Sequence, residues 1–192
     1  MAKQLSLPGF LVPQRSDRVF FAVLPPPFHK ARIKQLAEDI RSSQHLRADV
    51  RPAHRLHVSL HAPGVFLGGP EAMAAAINEA ARATAATMPA FVVAFDSVMS
   101  FRGTRPPLVL LPRSDVTALE ALYRLLGHAL VRAGLGRRLR SAFTSHVTLL
   151  YGDRGIEEHA VDPITWLVED FVLIHSVRGR GHRLLGQWTL HG

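Results

Sequence analysis

Apolar residues recur along this chain at two spacings, and the alternation between those spacings predicts its elements. "RVFFAVL", Arg18 to Leu24, is aromatic and β-branched and stops at Pro25-Pro26-Pro27, so it reads as a buried strand ending in a turn. From Phe28 to Ser42 the apolar positions Ile33, Leu36, Ala37 and Ile40 recur at helical spacing, with Lys and Arg on the remaining face. "RPAHRLHVSLHAP" then predicts a strand from about Arg55 to Ala62, closed by Pro63-Gly64. The Ala-rich stretch from Pro70 to Met88 reads as a helix with Pro in its first turn, where the missing N–H is no loss.

Strands follow at Phe91 to Phe101 and Pro107 to Pro112, joined by the hairpin-like "RGTRP". Ser114 or Asp115 can cap a helix whose stripe is Val116, Leu119, Leu122, Tyr123, Leu126 and Leu130, and which ends near Gly134 and Gly136. After the basic loop "GRRLRSAFT" come the strand "SHVTLLY", one apolar strand "ITWLVEDFVLIHS" and a last segment "HRLLGQWTLHG". Each half of the chain thus carries one H-V-[ST]-L strand soon after a helix. The order implies an α+β protein of two similar lobes with mostly antiparallel sheets.

A chain of 192 residues, 47% of them hydrophobic, can bury a substantial core, so disorder of the whole chain is excluded. No Cys is present, which excludes a disulfide framework, a thiolate zinc site and a Cys nucleophile, and agrees with a cytoplasmic location. The formal charge of +8, most of it from Arg, favours an anionic partner such as a phosphate ester or nucleic acid, although Arg-rich surfaces also serve solubility. Residues 1–17 hold only short apolar pieces broken by Pro8, Gly9 and Pro13, and are expected to form an arm before one bilobal domain spanning 18–192. No apolar run approaches the ~20 residues of a membrane-spanning helix, so no membrane partner is expected.

The two motif strands carry the candidate chemistry. In a strand, residues i and i+2 share a face, so His57, Ser59 and His61 are expected on one side while Leu56, Val58 and Leu60 take the other. Likewise His146 and Thr148 share a face, with Val147 and Leu149 pointing away. With 11 His, 19 Ser and Thr and 26 Leu in 192 residues, H-x-[ST]-L is expected by chance roughly 0.15 times, and two copies roughly once in a hundred such chains. A single such His would be read as a hydrogen-bonded structural residue; the pair calls for another account. Two imidazoles near neutral pH can divide general-acid and general-base work, and two hydroxyls can hold the non-bridging oxygens of a phosphodiester. That chemistry needs neither metal nor cofactor.

The paired motifs, together with "DRVFFAVLPP", "RLHVSLHAPG", "FTSHVTLLYG" and "FVLIHSV…LLGQWTL" in that order, resemble the two-histidine phosphoesterase superfamily and, within it, the bacterial 2',5' RNA ligase and RNA 2',3'-cyclic phosphodiesterase group. The resemblance spans about Asp17 to Leu190. It implies a bilobal, pseudo-twofold arrangement of two antiparallel sheets, with helices outside and both motifs facing a central cleft. It implies hydrolysis of RNA 2',3'-cyclic phosphate ends to 2'-phosphomonoesters, with His57 as general acid, His146 as general base, and Ser59 and Thr148 binding the phosphate. The expected partners are RNA ends or cyclic nucleotide phosphates, met by a monomer. The same site run in reverse would join RNA through 2',5' linkages, and a non-catalytic module would bind RNA ends through charge alone.

Some residues depart from the family's pattern or remain open. Ser59 stands where Thr is common, "HAPGVF" replaces a Phe-Leu-Gly turn, and Leu150-Tyr151 follow the second motif where some relatives place an Arg. Arg102, Arg105, Arg137 to Arg140, Arg154 and the "VRGRGHR" loop are candidates for a phosphate-binding Arg, each more simply read as a solvated charge. His54 and His61 beside His57 raise a zinc site, but no third ligand stands at helical spacing nearby. Tyr151, Phe66, Phe143 and Trp166 are read mainly as packing residues, and His175, His182 and His191 as non-catalytic because none has a hydroxyl at i+2. No P-loop or dinucleotide-binding glycine pattern is present.

Overall fold

The computed structural model describes residues 18–63, 69–113, 116–135, 142–177 and 181–191. The expected arm 1–17, the capping candidates Ser114 and Asp115, Phe66 and Arg137 to Arg140 lie outside the described residues. The elements are β1 (Arg18–Val23), α1 (Pro27–Ser43), one 3-10 turn (Ala53–Arg55), β2 (Val58–Ser59), α2 (Gly69–Ala85), β3 (Phe91–Ser100), β4 (Pro107–Leu111), α3 (Thr117–Arg132), β5 (Val147–Tyr151), β6 (His159–Val168), β7 (Asp170–Val177) and β8 (Gly181–Thr189). The fold is α+β and its strand pairs are antiparallel, as expected. Among the described residues no helix is long and apolar enough to cross a membrane.

The strands run in the order β6-β3-β4-β5-β2-β1-β7-β8. The two expected sheets are therefore two four-stranded halves of one sheet, joined in the middle where Val58 of β2 pairs with Val147 of β5. A pseudo-twofold axis through that pair relates β2 to β5 and β1 to β4, so the two motifs are symmetry mates. The lobes are not, however, the two halves of the sequence: β7 and β8 return to pair beside β1. The run "ITWLVEDFVLIHS", read above as one strand, belongs to β6 and β7, separated by Glu169 alone and lying near opposite ends of the strand order. The Glu169 carbonyl leaves the ladder to accept a bond of 2.8 Å from the Leu190 N–H, and a Pro89 to His191 bridge joins the same margin. Pro163 sits in β6, an edge strand, where its missing N–H breaks no interior ladder.

The helices interlock the lobes. In α1 the predicted stripe buries Ile33, Ala37 and Ile40, and the helix packs behind β5 and β6, with His29 6.0 Å from the Trp166 ring. Trp166 in turn stacks on Phe95 of β3 at 4.9 Å. In α3 the stripe from Leu119 to Leu130 is buried as predicted, while Val116 is half-buried at the N-cap, and Tyr123 lies on His61, four residues beyond the first motif histidine. Behind the first lobe α2 packs on α3 and β8, over a core that includes Phe21, Phe171 and Trp188.

His61 does not share the face of His57. The Phe21 N–H donates to the His61 carbonyl (2.7 Å) and its carbonyl accepts from Leu60 N–H (2.8 Å), so two residues oppose one, the count that defines a bulge. The extra residue reverses the pleat, and His61 enters the core at 3% exposure. There its Nε2–H donates to the Tyr123 carbonyl at 2.8 Å while its ring stacks on Tyr123 at 3.7 Å, and Tyr123 stacks on Phe143 at 4.3 Å. This stack of three ties the segment after the first motif to the segment before the second. The second motif carries the matching irregularity, with Val109 opposite Thr148 but Leu108 opposite Leu150.

Gly127 of α3 exists to admit that histidine. A Cβ there would stand 2.8 Å from His61 Nε2, on a ring held by stacking and a hydrogen bond. Gly127→Ala is therefore expected to destabilise the protein by about 1–3 kcal/mol, although Ala is the better helix former. Thermal denaturation reads this directly, and a raised melting temperature would refute the packing argument.

Candidate functional site

Because Val58 and Val147 are a cross-strand pair with both side chains buried, the flanking residues emerge together on the opposite face. The same register sets His57 opposite Thr148 and Ser59 opposite His146. Each His then faces the other along a diagonal of on the order of 7–8 Å between backbones. All four residues named by the motifs are brought to one face around one centre. His57, His146 and Thr148 are half-buried and Ser59 is exposed.

The two imidazoles are held alike. His57 Nδ1–H donates to the Arg55 carbonyl at 2.8 Å, and His146 Nδ1–H to the Thr144 carbonyl at 2.7 Å. A carbonyl only accepts, so each Nδ1 carries the proton and each Nε2 is left to accept one or, when the ring is charged, to donate one. An aromatic ring flanks each: Phe20 is 4.9 Å from His57 and Phe101 is 5.1 Å from His146, edge-on. These rings come from β1 and the end of β3, strands the pseudo-axis does not relate.

Burial is the main reason that His57 is pushed down to about 4; the hydrogen bond to Arg55 opposes this, and the charges of His182, Arg51 and His146 add to it. His57 is thus neutral in the empty site at neutral pH. Above 6.5 neither folded nor unfolded chain holds its proton, but between 6.5 and about 4 only the unfolded chain does, so stability falls as pH falls. The loss attributable to His57 is at most roughly 3 kcal/mol. Denaturant titrations of wild type and His57→Asn between neutral and acidic pH should show the smaller acid loss in the variant, and parallel curves would contradict the burial argument.

The sequence reading missed three residues that reach this site. His182, at the start of β8, packs edge-on to His57 at 5.3 Å and also meets Phe20 at 5.8 Å. Burial lowers its pKa, with Arg55, Arg51 and His54 contributing. No local pattern marks it, because it arrives through β7 and β1. Arg55 was open to inference, lying at i−2 from His57. Arg51, whose backbone N–H donates to the Leu149 carbonyl of β5 at 2.8 Å, lies 5.7 Å over the ring of Tyr151.

The earlier Arg candidates fare differently. Arg102, Arg105 and Arg183 are exposed, Arg154 donates to the Gln44 carbonyl, and Arg178 and Arg180 lie outside the described residues. Tyr151 is 43% exposed and is not a core residue, whereas Phe143 and Trp166 pack as expected. With His61 turned into the core, the three histidines of the first motif segment do not converge. Among the described residues no group of three or more His, Asp or Glu is placed to hold a metal ion.

Comparisons with known proteins bear on the family and the fold. The family model of the 2'-5' RNA ligase superfamily matches residues 25–180. No curated protein sequence matches significantly. Among solved structures, E. coli LigT in apo form is similar over 92% of this chain and 98% of its own, with 23% identity and a TM-score of 0.71. E. coli LigT complexed with 3'-AMP matches over 92% and 99%, with 24% identity and a TM-score of 0.69. TT0787 of Thermus thermophilus matches over 91% and 98%, with 21% identity and a TM-score of 0.65. At these identities the likeness to the solved structures is one of fold.

Proposed function

The chain belongs to the 2'-5' RNA ligase superfamily of two-histidine phosphoesterases, and from that premise we propose that it hydrolyses 2',3'-cyclic phosphate ends of RNA to 2'-phosphomonoesters. The observation that carries this reading is the register of Val58 with Val147, which sets two imidazoles and two hydroxyls around one centre on one face of the sheet. A phosphate at that centre has a ring nitrogen on either side, as displacement at phosphorus requires of its attacking and leaving oxygens.

In the proposed reaction His146 Nε2 takes the proton of a water whose oxygen attacks phosphorus. The bond from phosphorus to the 3' oxygen breaks, and His57 Nε2–H gives that oxygen a proton, leaving a 2'-phosphomonoester and a free 3' hydroxyl. Ser59 and Thr148 donate to the non-bridging oxygens, where charge accumulates. The rings end with their protonation states exchanged, and solvent restores them. His57, neutral in the empty site, gains its proton with the anionic substrate, whose charge beside the ring opposes the effect of burial. E. coli LigT complexed with 3'-AMP supports a nucleotide phosphate as the ligand class.

The test is turnover of a nucleoside or oligonucleotide 2',3'-cyclic phosphate with a chelator present, with the product resolved by position of the phosphate. The reading predicts a 2'-phosphomonoester. Joining of RNA ends through 2',5' linkages without hydrolysis would favour the ligase reading of the same site, and salt-sensitive binding without either reaction would favour a non-catalytic module.

A further inference from the structure

Arg51, Arg55, His54 and His182 gather about His57, and each of the four acts on the charge of His57 or His182. No carboxylate answers them: among the described residues, the ion pairs are those that Glu38 makes with Lys34 and Arg41 in α1. Nε of Arg51 is buried without a hydrogen-bond partner among the described residues, so its N–H is a donor left for a ligand. Arg55 reaches the start of β8, its guanidinium 3.8 Å from where a Cβ on Gly181 would stand. Gly181 has φ of +90°, a backbone conformation that disfavours a side chain there.

Resting on the hydrolase reading, we propose that Arg51, Arg55 and His182 form a second anion subsite beside His57, which binds the 5' phosphate of the nucleotide whose 2',3' end is at the two histidines. The subsite selects the end of a polynucleotide over a lone cyclic nucleoside, because only the former carries a phosphate on the 5' side. Guanidinium groups suit that task, since their planar donors match phosphate oxygens in pairs.

Adenosine 2',5'-bisphosphate and adenosine 2'-monophosphate differ only in the phosphate concerned, and their affinities for the full chain can be compared at fixed salt. The bisphosphate is expected to bind at least about tenfold more tightly, and Arg55→Gln and His182→Gln should each bring that ratio towards one. Arg51→Lys, which keeps the charge and removes the Nε donor, should lower it in part, with a melting curve for each variant to establish folding. Equal affinities in the wild type, or a ratio unchanged by Arg55→Gln, would overturn the subsite. Cyclic phosphate turnover, measured alongside, separates the two claims: a high ratio without turnover removes the hydrolase reading and keeps the subsite, while turnover with a ratio of one does the reverse.

Discussion

Replacing either His57 or His146 by Asn is expected to lower kcat on a 2',3'-cyclic phosphate by about 10²–10⁴-fold, the range that general acid or base catalysis supplies. Asn retains an N–H that can reach the carbonyl to which each Nδ1–H donates, at Arg55 and Thr144, so the local backbone keeps its partner. Both rings lie on the face opposite the buried Val58 and Val147 and neither belongs to the core cluster, so the variants should fold. Circular dichroism and single-turnover rates are the measurements. Activity within a few-fold of wild type in either variant would mean that the reaction does not use both rings.

The second large effect separates the roles of the two rings. A p-nitrophenyl phosphodiester has a leaving group stable enough to depart without a proton, so loss of the general acid matters little to it while loss of the base still does. His57→Asn should therefore recover most of its ~10²–10⁴-fold deficit on this substrate, and His146→Asn should not. The opposite pattern would exchange the two roles, and a deficit in both variants as large as on the cyclic phosphate would show that neither ring serves as the acid. The low pKa of His57 is compatible with the acid role: once the substrate anion has brought its proton, a ring of low intrinsic basicity gives that proton up readily.

Much of this site can be read from the sequence because strand periodicity survives where it matters. Two short motifs, each with a buried Val between a His and a hydroxyl residue, already place both catalytic candidates opposite a core face. The stripe of α3 was equally legible, since its buried Leu119, Leu122, Leu126 and Leu130 repeat at helical spacing. What periodicity cannot show is a change of phase. The bulge at Leu60 and His61 lies in the pairing with β1, so simple alternation assigns His61 to the cleft when it belongs under α3. The same limit hid the break at Glu169, where the acidic pair Glu169-Asp170 in an apolar run marks the passage of the chain from the second lobe to the first.

Long-range pairing explains the other omissions. His182 meets His57 through β8, β7 and β1, and Arg51 meets Tyr151 because the chain at Val50 and Arg51 pairs with β5, so neither is foreshadowed by its neighbours in sequence. Arg55 is different in kind. It sits two residues before His57, and the rule that joined His57 to Ser59 would have joined it to Arg55 as well.

The central claim is that two distant strands make one phosphate site, and nitrogen NMR of the histidine side chains tests it most directly. Titration with adenosine 2'-monophosphate should shift the Nε2 resonances of His57 and His146 together, with one dissociation constant and a stoichiometry of one, while both Nδ1 keep their protons. Shifts confined to one ring, or two rings responding with different dissociation constants, would contradict a shared site.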